Sequence, residues 1–565
     1  MKQTLSACLA ALAAIAGSVL FFYSFPEWFP ALYAVSVVLM AASAGIITWL
    51  FAKKRPAVKG LVAFAAFAAA FFSLTFLINN VILHENQSLK ATVILLCLTL
   101  VFFIVYYAVL SRGSRRGRAL AAVAIVLSAL PVLTYLFAIC APFSGKVMPV
   151  AGSTDATPIT ATRREHRFDG GRLLLGAYCL PKRDDYGTLR QWLKEAGIDF
   201  YVGASGAPLT GEDLAWLADN GMGVFLPNTE EAREMNSPAV WGIDLRDEPG
   251  AGDFASLAAE VRELYAAQPD RFPLINLFPM YANGDQLNEH AGWPLKFSGA
   301  RIDALNRESA QYRMHLSDYI GTVDSDIISV DIYPLDHDLP TGRITTYDNW
   351  LRNLDILADA CRATGRDLWV ITQAAGTEES GGSKRWCDTV EDQRWQDFVT
   401  MAFGAKAIIY ACYCTGWWDA GSHMINDEGE RTETYYAVQQ INKEMKVLAE
   451  EYGRYENHGA VLLNRAKAAG ARLGLLEVAD EYKPDVKTGD PLLCGCFTEK
   501  NGSGKAFVFT NMYEPQTGKD AAFTANFPGA KSVTVFRKGE TSTTAGDTLE
   551  MTLENREGVF VTVEF

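Results

Sequence analysis

The chain has 565 residues, with 51 Lys and Arg against 65 Asp and Glu, so its formal net charge is -14. It is too long for one compact core and should divide into at least two or three parts. Residues 1–143 carry ten basic and two acidic side chains, which leaves 41 basic and 63 acidic ones for residues 144–565. This acidity disfavours nucleic acid as a partner, because duplex binding depends on neutralising phosphates with Lys and Arg.

The ten cysteines indicate neither a metal site nor a cofactor. Three of them lie within apolar segments, and the other seven lack the paired short spacings of a zinc site. Cys412 with Cys414, and Cys494 with Cys496, are two residues apart, which on a strand puts both side chains on one face. That arrangement suits packing at least as well as metal binding, so we expect no metal and no cofactor.

Residues 1–143 contain five long apolar stretches, at 5–23, 31–51, 61–83, 91–110 and 119–143. Each is close to the roughly 20 residues that a helix needs to cross a bilayer. The sequence therefore predicts a five-helix, multi-pass transmembrane region in contact with the lipid bilayer. Two alternatives stay open: the first stretch is compatible with a cleaved signal peptide, and the whole region with a transporter, although the stretches carry no central charges.

The charges of the connecting loops predict the orientation of this region. The loops at 52–60 and 111–118 are strongly basic, whereas those at 24–30 and 84–90 are not. By the positive-inside rule the N-terminus is then cytoplasmic, and everything after residue 143 lies outside. Residues 144–168 are rich in small residues, Thr and Pro, and predict a linker to this outer part.

From residue 172 onward, short apolar runs alternate with amphipathic helical patterns. The predicted strands are 172–178, 198–204, 223–228, 239–245, 272–279, 327–334, 367–374 and 405–413. Eight strands with intervening helices predict a (β/α)8 TIM barrel over residues 169–456. An open doubly wound sheet is the competing fold, but no glycine-rich phosphate loop follows the first strand.

After residue 457 only strands separated by turns remain, which predicts a C-terminal all-β sandwich over residues 457–565. The predicted fold class is therefore multi-domain, with an all-α transmembrane region over residues 1–143, a (β/α)8 TIM barrel and a C-terminal all-β sandwich.

The fourth predicted strand ends in a cluster of charged residues. Its apolar run, VWGI, is followed by Asp244, Arg246, Asp247 and Glu248, after which a proline forbids further regular pairing. Barrel enzymes keep their chemistry at the C-terminal ends of the strands, so this segment predicts a catalytic acid at the rim. Asp244 and Arg246 are expected to pair if both point into the barrel, in a structural or a functional role.

This part of the chain resembles the clan A glycoside hydrolases, especially the β-galactosidase-like barrels of family 42. The resemblance rests on the Asp-Glu-Pro after the fourth strand, the NLFP run after the fifth, and QAAG followed by VEDQRWQDFVTMAFGAKAIIYACY around the seventh and eighth. It covers residues 172–565 and implies a carbohydrate partner. It also implies that Glu248 is the general acid/base, with Asp247 in place of the usual Asn. The expected nucleophile at the end of the seventh strand is replaced by Gln373.

Glycoside cleavage needs one carboxylic acid and one carboxylate. With Glu248 as the acid, the first candidate for its partner is Asp331 at the end of the sixth strand, followed by Glu378 and Glu379 beyond the seventh. As a nearby like charge, Asp247 would raise the proton affinity of Glu248, unless it simply caps a loop or helix.

Aromatic and polar residues at the strand ends are candidates for binding a sugar, because apolar sugar faces stack on aromatic rings. The predicted substrate-binding residues are Asp244, Asn276, Tyr281, Tyr333, Gln373, Trp386, Tyr413, Trp417 and Trp418. The predicted function is that of a membrane-anchored, extracytoplasmic glycoside hydrolase. The alternative is a catalytically inactive carbohydrate-binding or cell-envelope protein that retains the barrel without the seventh-strand nucleophile.

Overall fold

The structure is a computed structural model that describes Arg164 and residues 171–203, 208–282, 284–287, 307–338, 343–374, 377–378, 383–385, 387, 389–414 and 423–565. The five predicted membrane spans lie outside the described residues, as does the predicted linker apart from Arg164.

Strands and helices alternate along the first part of the described chain. The first twelve strands are β1 (Leu174–Tyr178), β2 (Phe200–Val202), β3 (Gly223–Pro227), β4 (Val240–Asp247), β5 (Phe272–Leu277), β6 (Ile327–Asp331), β7 (Leu335–Asp338), β8 (Arg343–Thr346), β9 (Asp367–Gln373), β10 (Thr377–Glu378), β11 (Ser383–Arg385) and β12 (Ala407–Ala411). The helices are α1 (Tyr186–Glu195), α2 (Gly211–Asp219), α3 (Glu230–Glu234), α4 (Phe254–Ala267), α5 (Gly284–Leu287), α6 (Arg307–Thr322), α7 (Trp350–Thr364), α8 (Val390–Ala402) and α9 (Glu433–Gly453).

Eight of these strands form a closed parallel barrel in the order β1, β12, β9, β6, β5, β4, β3, β2. Parallel pairing of β1 with both β2 and β12 closes the ring. Seven of the eight barrel strands lie within the apolar runs that the sequence marks as strands, because buried parallel strands are apolar on both faces. The fourth, β4, extends two residues beyond its predicted end at residue 245. The polar ends of these runs therefore meet at one rim of the barrel.

Aromatic rings fill much of the barrel interior. Phe200 packs against Phe225, Trp241 and Trp369, with ring centroids 5.6, 5.6 and 5.2 Å apart, and Phe272 lies 6.2 Å from Trp369. These rings belong to one buried apolar cluster inside the barrel. Since bulky side chains occupy the interior, the barrel is a packed core rather than a pore, and polar chemistry is confined to its rim.

A second, antiparallel sheet forms from the segments that follow β6 and β9. Its strand order is β10, β11, β7, β8. Because both segments begin at the C-terminal ends of barrel strands, this sheet extends the loops on the rim side of the barrel. The alternating pattern of the sequence did not predict it.

The C-terminal part consists of two antiparallel sheets. Its strands are β13 (Tyr455–Leu463), β14 (Asp485–Thr488), β15 (Leu492–Glu499), β16 (Lys505–Asn511), β17 (Ala521–Asn526), β18 (Ser532–Arg537), β19 (Glu540–Ala545), β20 (Thr548–Leu553) and β21 (Gly558–Glu564). One sheet has the order β13, β15, β16, β21, β18, β19 and the other the order β14, β17, β20. Side chains from both sheets share one apolar cluster.

The helix α8 joins the barrel to the larger C-terminal sheet. Its Trp395 is fully buried and donates from Nε1 to the carbonyl of Asn511 in β16 at 2.9 Å. Its Asp392 pairs with Arg556 at 2.6 Å. At the end of the helix, Ala402 lies directly against Gly495 of β15, so the backbones of helix and sheet meet without an intervening side chain.

The structure corrects the predicted fold class. It shows the eight-strand barrel and the C-terminal sheets, but no helix among the described residues is long and apolar enough to cross a membrane. The all-α transmembrane component and the contact with the lipid bilayer are therefore not supported. The domain boundaries and the extracytoplasmic location, which were inferred from the sequence, stay predictions.

The close approach at Gly495 gives a test of how α8 holds the sheet. A Cβ at this position would lie 2.6 Å from the Cα of Ala402 and overlap its carbonyl oxygen, so helix and sheet would have to separate. We expect Gly495→Ala to lower the free energy of unfolding by about 1–3 kcal/mol. Denaturant titration of the full chain measures this, with Gly489→Ala as the control, since a Cβ there meets nothing within 4 Å. Equal stability of the two variants would contradict this account of the interface.

Candidate active site

The predicted acidic residues meet at the C-terminal rim of three neighbouring barrel strands. Asp244 and Asp247 belong to β4, Glu248 follows it directly, and Asp331 ends β6. The strand between them, β5, contributes Asn276. The structure therefore brings together the residues that the sequence indicated at the ends of its fourth, fifth and sixth strands.

A β-bulge in β4 decides which of its side chains enter the barrel. Asp244 is paired with Leu274 of β5, but Arg246 is paired with Ile275, so Leu245 is an extra residue in β4. Side chains on a regular strand alternate between its faces, and an extra residue shifts that alternation by one. As a result Asp244 and Asp247 both face inward, whereas Arg246 turns outward.

The expected pair of Asp244 with Arg246 does not form. The guanidinium of Arg246 instead binds Glu260 of α4, with 2.9 Å between Nη2 and Oε1, on the outer side of the barrel. The carboxylate of Asp244 accepts a hydrogen bond from the hydroxyl of Tyr178 in β1 at 3.3 Å. The bulge therefore removes the nearest cation of the sequence from the acidic cluster.

Asn276 connects the acids of β4 and β6. Its buried side-chain amide donates one hydrogen bond to Asp247 Oδ1 and another to Asp331 Oδ1, both at 3.0 Å. Its own carbonyl oxygen accepts from the hydroxyl of Ser329 at 3.2 Å, which fixes the orientation of the amide. The two carboxylates are thus held on either side of one donor group.

Glu248 has an unusual backbone conformation. Its φ is +45°, in the left-handed region that residues with a side chain rarely adopt. Its amide donates to the carbonyl of Asn276 at 2.8 Å, which ties the residue to the end of β5. Strained residues of this kind cluster at functional sites, because the surrounding structure must be built to hold them.

The environment of Glu248 favours its protonated form. Loss of hydration, followed by the negative charges of Asp331 and Asp247, raises its pKa to about 8. Burial raises the pKa of Asp331 to about 6, against the lowering effect of its hydrogen bond from Asn276. Near neutral pH the proton therefore resides on Glu248 while Asp331 is ionised, and this separation distinguishes an acid from a base.

The other two acids of the rim are also shifted. Loss of hydration raises the pKa of Asp247, and the hydrogen bond from Asn276 opposes that shift. Burial, followed by the charge of Asp247, raises the pKa of Asp244 to about 7, while the hydroxyl of Tyr178 acts in the opposite direction. Within the described part of the chain, none of these four acids forms an ion pair with Lys, Arg or His. Among all the residues that the structure describes, no group of three or more His, Cys, Asp or Glu is arranged to hold a metal ion.

Gln373 lies at the end of β9, where the resemblance places a nucleophile. It is fully buried, and its side-chain amide makes two hydrogen bonds of 3.2 Å with the backbone of Leu335, donating to its carbonyl and accepting from its N–H. Its own backbone N–H and carbonyl bind the side chain of Gln396 at 3.1 and 2.9 Å. These contacts give Gln373 a structural part in anchoring the segment after β6.

The predicted aromatic residues have different surroundings. Tyr333 is buried inside the barrel beside Asp331, and its hydroxyl helps to lower the pKa of that residue. Tyr281 is half-buried and packs edge-on against Tyr347 at 5.2 Å. Tyr413 is fully buried, faces the helix layer and donates to the carbonyl of Leu189 in α1 at 2.7 Å.

The remaining predicted contacts, Trp386, Trp417 and Trp418, lie outside the described residues, as does Glu379. Two residues of the site were missed in the sequence, namely Tyr178 and Ser329. Tyr178 ends the first apolar run, so its position was available as a signal. Ser329 sits in the middle of the sixth run, and only the register between β5 and β6 pairs it with Asn276.

No family model and no curated protein matches the chain, so the resemblance to family 42 is not confirmed. Several solved glycoside hydrolases are similar in structure. Alpha-galactosidase I from Mortierella vinacea is 11% identical, with 71% of this chain and 98% of that chain covered and a TM-score of 0.33. A GH27 β-L-arabinopyranosidase from Geobacillus stearothermophilus is 10% identical, with 70% and 97% covered and a TM-score of 0.32.

An alpha-amylase from Geobacillus thermoleovorans, complexed with acarbose, is 9% identical, with 71% of this chain and 100% of that chain covered and a TM-score of 0.30. Similarity at this level carries no argument about activity. The barrel is established by the strand pairing of this chain, and its chemistry follows from the residues at the rim.

The raised pKa values predict how stability depends on pH. An acid whose pKa is higher in the folded than in the unfolded state keeps its proton on folding, so stability is lost as pH rises from about 4, the unfolded value, through about 8. We expect Glu248→Gln to remove part of this loss and to be more stable than the unsubstituted chain at pH 8 by about 1–2 kcal/mol, allowing for solvent screening. The difference should vanish near pH 4. Denaturant titrations at several pH values check this, with the exposed Glu263→Gln as control; a pH-independent difference would contradict it.

The positive φ of Glu248 predicts a second effect on stability. Glycine adopts this conformation without the steric cost that a Cβ brings. We expect Glu248→Gly to be more stable than Glu248→Ala by about 1 kcal/mol, although glycine normally destabilises. At Glu263, within α4, the same pair of substitutions should give the opposite order by a similar amount. Thermal unfolding of the four variants decides the matter, and the same order at both positions would exclude strain at Glu248.

Proposed function

We propose that this chain hydrolyses glycosidic bonds at the rim of its barrel, with Glu248 as the general acid/base and Asp331 as its partner carboxylate. The observation that carries the proposal is that the surroundings of Glu248 favour its protonated form and those of Asp331 its ionised form. Asn276 donates to Asp331 and favours its ionised form, whereas the described residues give the side chain of Glu248 no comparable donor. One protonated carboxyl group beside one carboxylate is the pair that glycoside cleavage requires.

The roles of the two residues follow from their protonation states. Glu248 gives its proton to the glycosidic oxygen as the bond from that oxygen to the anomeric carbon breaks. Asp331 either takes a proton from the water that attacks the anomeric carbon, or attacks that carbon itself. In the second case Glu248, now ionised, takes a proton from the water that releases the sugar. Both routes consume one water. The second route leaves Glu248 protonated, whereas after the first the proton taken up by Asp331 is lost to solvent and Glu248 takes one from solvent before the next cycle.

The position of Asp247 supports this assignment. Its carboxylate shares the amide of Asn276 with Asp331, and its charge helps to keep the proton on Glu248. An acid that is kept protonated at neutral pH lowers the stability of the folded state. Such acids are therefore typical of functional sites. The strained backbone of Glu248 points the same way.

A second candidate function is carbohydrate binding without turnover. The observation in its favour is Gln373, a neutral side chain at the end of the seventh barrel strand whose amide is fully engaged with Leu335. A barrel that has lost its second carboxylate would bind glycans and leave them intact. The proposal of hydrolysis therefore depends on Asp331 as the replacement for that carboxylate.

Glu248→Gln tests the proposed function. The amide keeps the size of the side chain but has no proton to transfer, so hydrolysis should fall by about 100-fold or more. The purified full chain is assayed against a panel of aryl glycosides and natural oligosaccharides, with Glu263→Gln as the matched exposed control. Asp331→Asn should cause a comparable loss.

The outcomes separate the two candidates. Loss of hydrolysis in both site variants, with the control unchanged, supports the catalytic assignment. Glycan binding by the unsubstituted chain without turnover of any glycoside supports the binding function instead. Hydrolysis by Glu248→Gln at the rate of the unsubstituted chain would contradict the assignment of Glu248 as the general acid/base.

A further inference from the structure

The hydroxyl of Tyr410 in β12 lies between two side-chain oxygen atoms, in the layer where the helices cover the barrel. Its oxygen is 2.8 Å from Oδ2 of Asp397 in α8 and 2.8 Å from Oδ1 of Asn442 in α9. All three side chains are fully buried. Both distances are those of hydrogen bonds between oxygen atoms, so each contact should contain a hydrogen atom.

The two contacts need two hydrogen atoms, and an ionised Asp397 would leave only one. The hydroxyl of Tyr410 has a single hydrogen, and a carboxylate has none. The amide of Asn442 does not supply the second, because its Nδ2 donates to the carbonyl of Ala196 at 2.8 Å, which turns its oxygen toward Tyr410. The missing hydrogen is therefore a proton on Asp397.

The charges around Asp397 also favour its protonated form. Its second oxygen, Oδ1, has no hydrogen-bond partner among the described residues. Arg394, three residues earlier in α8, is bound by both oxygens of Glu444 in α9 at 2.9 Å each. Burial raises the pKa of Asp397 to about 8, against the hydrogen bond from Tyr410, while the charge of Glu444 adds to this rise and that of Arg394 opposes it.

The other titratable groups near this junction do not neutralise Asp397. Burial, followed by the charge of Asp397, raises the pKa of Tyr410, and Asp199 and Cys387 add smaller effects. Asp199, directly before β2, is itself bound by two cations within 3.0 Å. Towards the C-terminal sheets, Glu557 is bound by an arginine of β18 at 2.7 Å. Within the described part of the chain, none of these groups offers Asp397 a free positive charge.

Asp397 lies on the helix that joins the two parts of the fold. The residue before it, Gln396, binds the backbone of Gln373 in the barrel strand β9. One residue earlier, Trp395 donates to β16 of the larger C-terminal sheet. A proton on Asp397 therefore helps to hold the helix on which the contact between barrel and sheet depends.

We propose that Asp397 carries a proton in the folded chain and gives it up when α8 separates from β12 and α9, so that this junction opens more readily as the pH rises. Without the proton, Tyr410 would donate to Asp397, and Oδ1 of Asn442 would face a lone pair at 2.8 Å. A fully buried carboxylate with one neutral donor is also costly, whereas separation of the helix exposes it to water. No step of the proposed hydrolysis involves this acid.

Infrared spectroscopy of the full chain tests the proton directly, because a protonated carboxylic acid has a carbonyl band that a carboxylate lacks. We expect Asp397→Asn to lose the intensity of one such acid at about pH 6, which is below the pKa of about 8 of Asp397. The exposed Asp219→Asn is the matched control and should keep the band unchanged.

Hydrogen exchange of α8 tests the release of the helix. Asp397→Asn keeps the size of the side chain, and its amide donates to Tyr410 at every pH. A group whose pKa is raised in the closed form stabilises that form fully below its pKa in the open form, about 4, and the effect is lost as the pH rises to about 8. The exchange rate of α8 in the unsubstituted chain, divided by that in Asp397→Asn, should therefore rise by roughly 50-fold between pH 6 and pH 8 and level off above about pH 9. Peptides from α4 are the internal control and should show a constant ratio.

The outcomes decide the inference whatever the activity at the rim. Loss of the band in Asp397→Asn, together with the rising ratio, supports it. A band that keeps its full intensity, or a ratio that stays constant between pH 6 and pH 8, overturns it. If Asp397→Asn does not fold, Tyr410→Phe takes its place: the acid loses the hydroxyl to which it donates, so its band should move, and a band that stays in place overturns the inference.

Discussion

Side chains of a β-strand alternate between its two faces, and β4 breaks this alternation at Leu245. In a regular strand Asp244, Arg246 and Glu248 would share a face, and the guanidinium would neutralise its neighbours. The bulge instead turns Asp247 toward the open mouth of the barrel beside Asn276 of β5, and Arg246 pairs with Glu260 on the outside. One extra residue thus converts a self-neutralising segment into an uncompensated acidic rim.

This rim is costly for the folded state. The carboxyl groups lose hydration and repel one another, and their main compensation is two neutral donors, the amide of Asn276 and the hydroxyl of Tyr178. A neutral donor lowers the energy of an ionised acid by less than an ion pair does. Glu248 therefore retains its proton at a pH where an exposed glutamic acid is ionised, which is the property that general acid catalysis needs. The burial and charge repulsion that keep Glu248 protonated therefore lower the stability of the folded state while they favour the proposed acid catalysis.

The amino-acid sequence predicted the barrel strands because a buried parallel strand is apolar along its whole length, and such runs are visible one by one. It also placed Glu248, Asn276 and Asp331 at strand ends, where the rim must lie. It did not predict the bulge, because register is a property of two strands together. The Asp244–Arg246 pair was expected for that reason and is absent. Tyr413 ends the eighth apolar run as Tyr178 ends the first, yet only the structure shows that one faces α1 and the other faces Asp244.

The location of Gln373 changes how the site is laid out. With a neutral residue engaged by Leu335 at the end of β9, the proposed partner acid comes from β6, which is separated from β4 by β5 alone. The proposed pair, Glu248 and Asp331, then lies on one side of the rim, with Asn276 on the strand between them. Asp244 lies on the same strand as the acid but reaches to Tyr178 of β1, three strands away around the barrel. The hydrogen bond between Asp244 and Tyr178 therefore crosses the barrel from β4 to β1 beside the proposed pair, and it links the acidic side of the rim to the first strand.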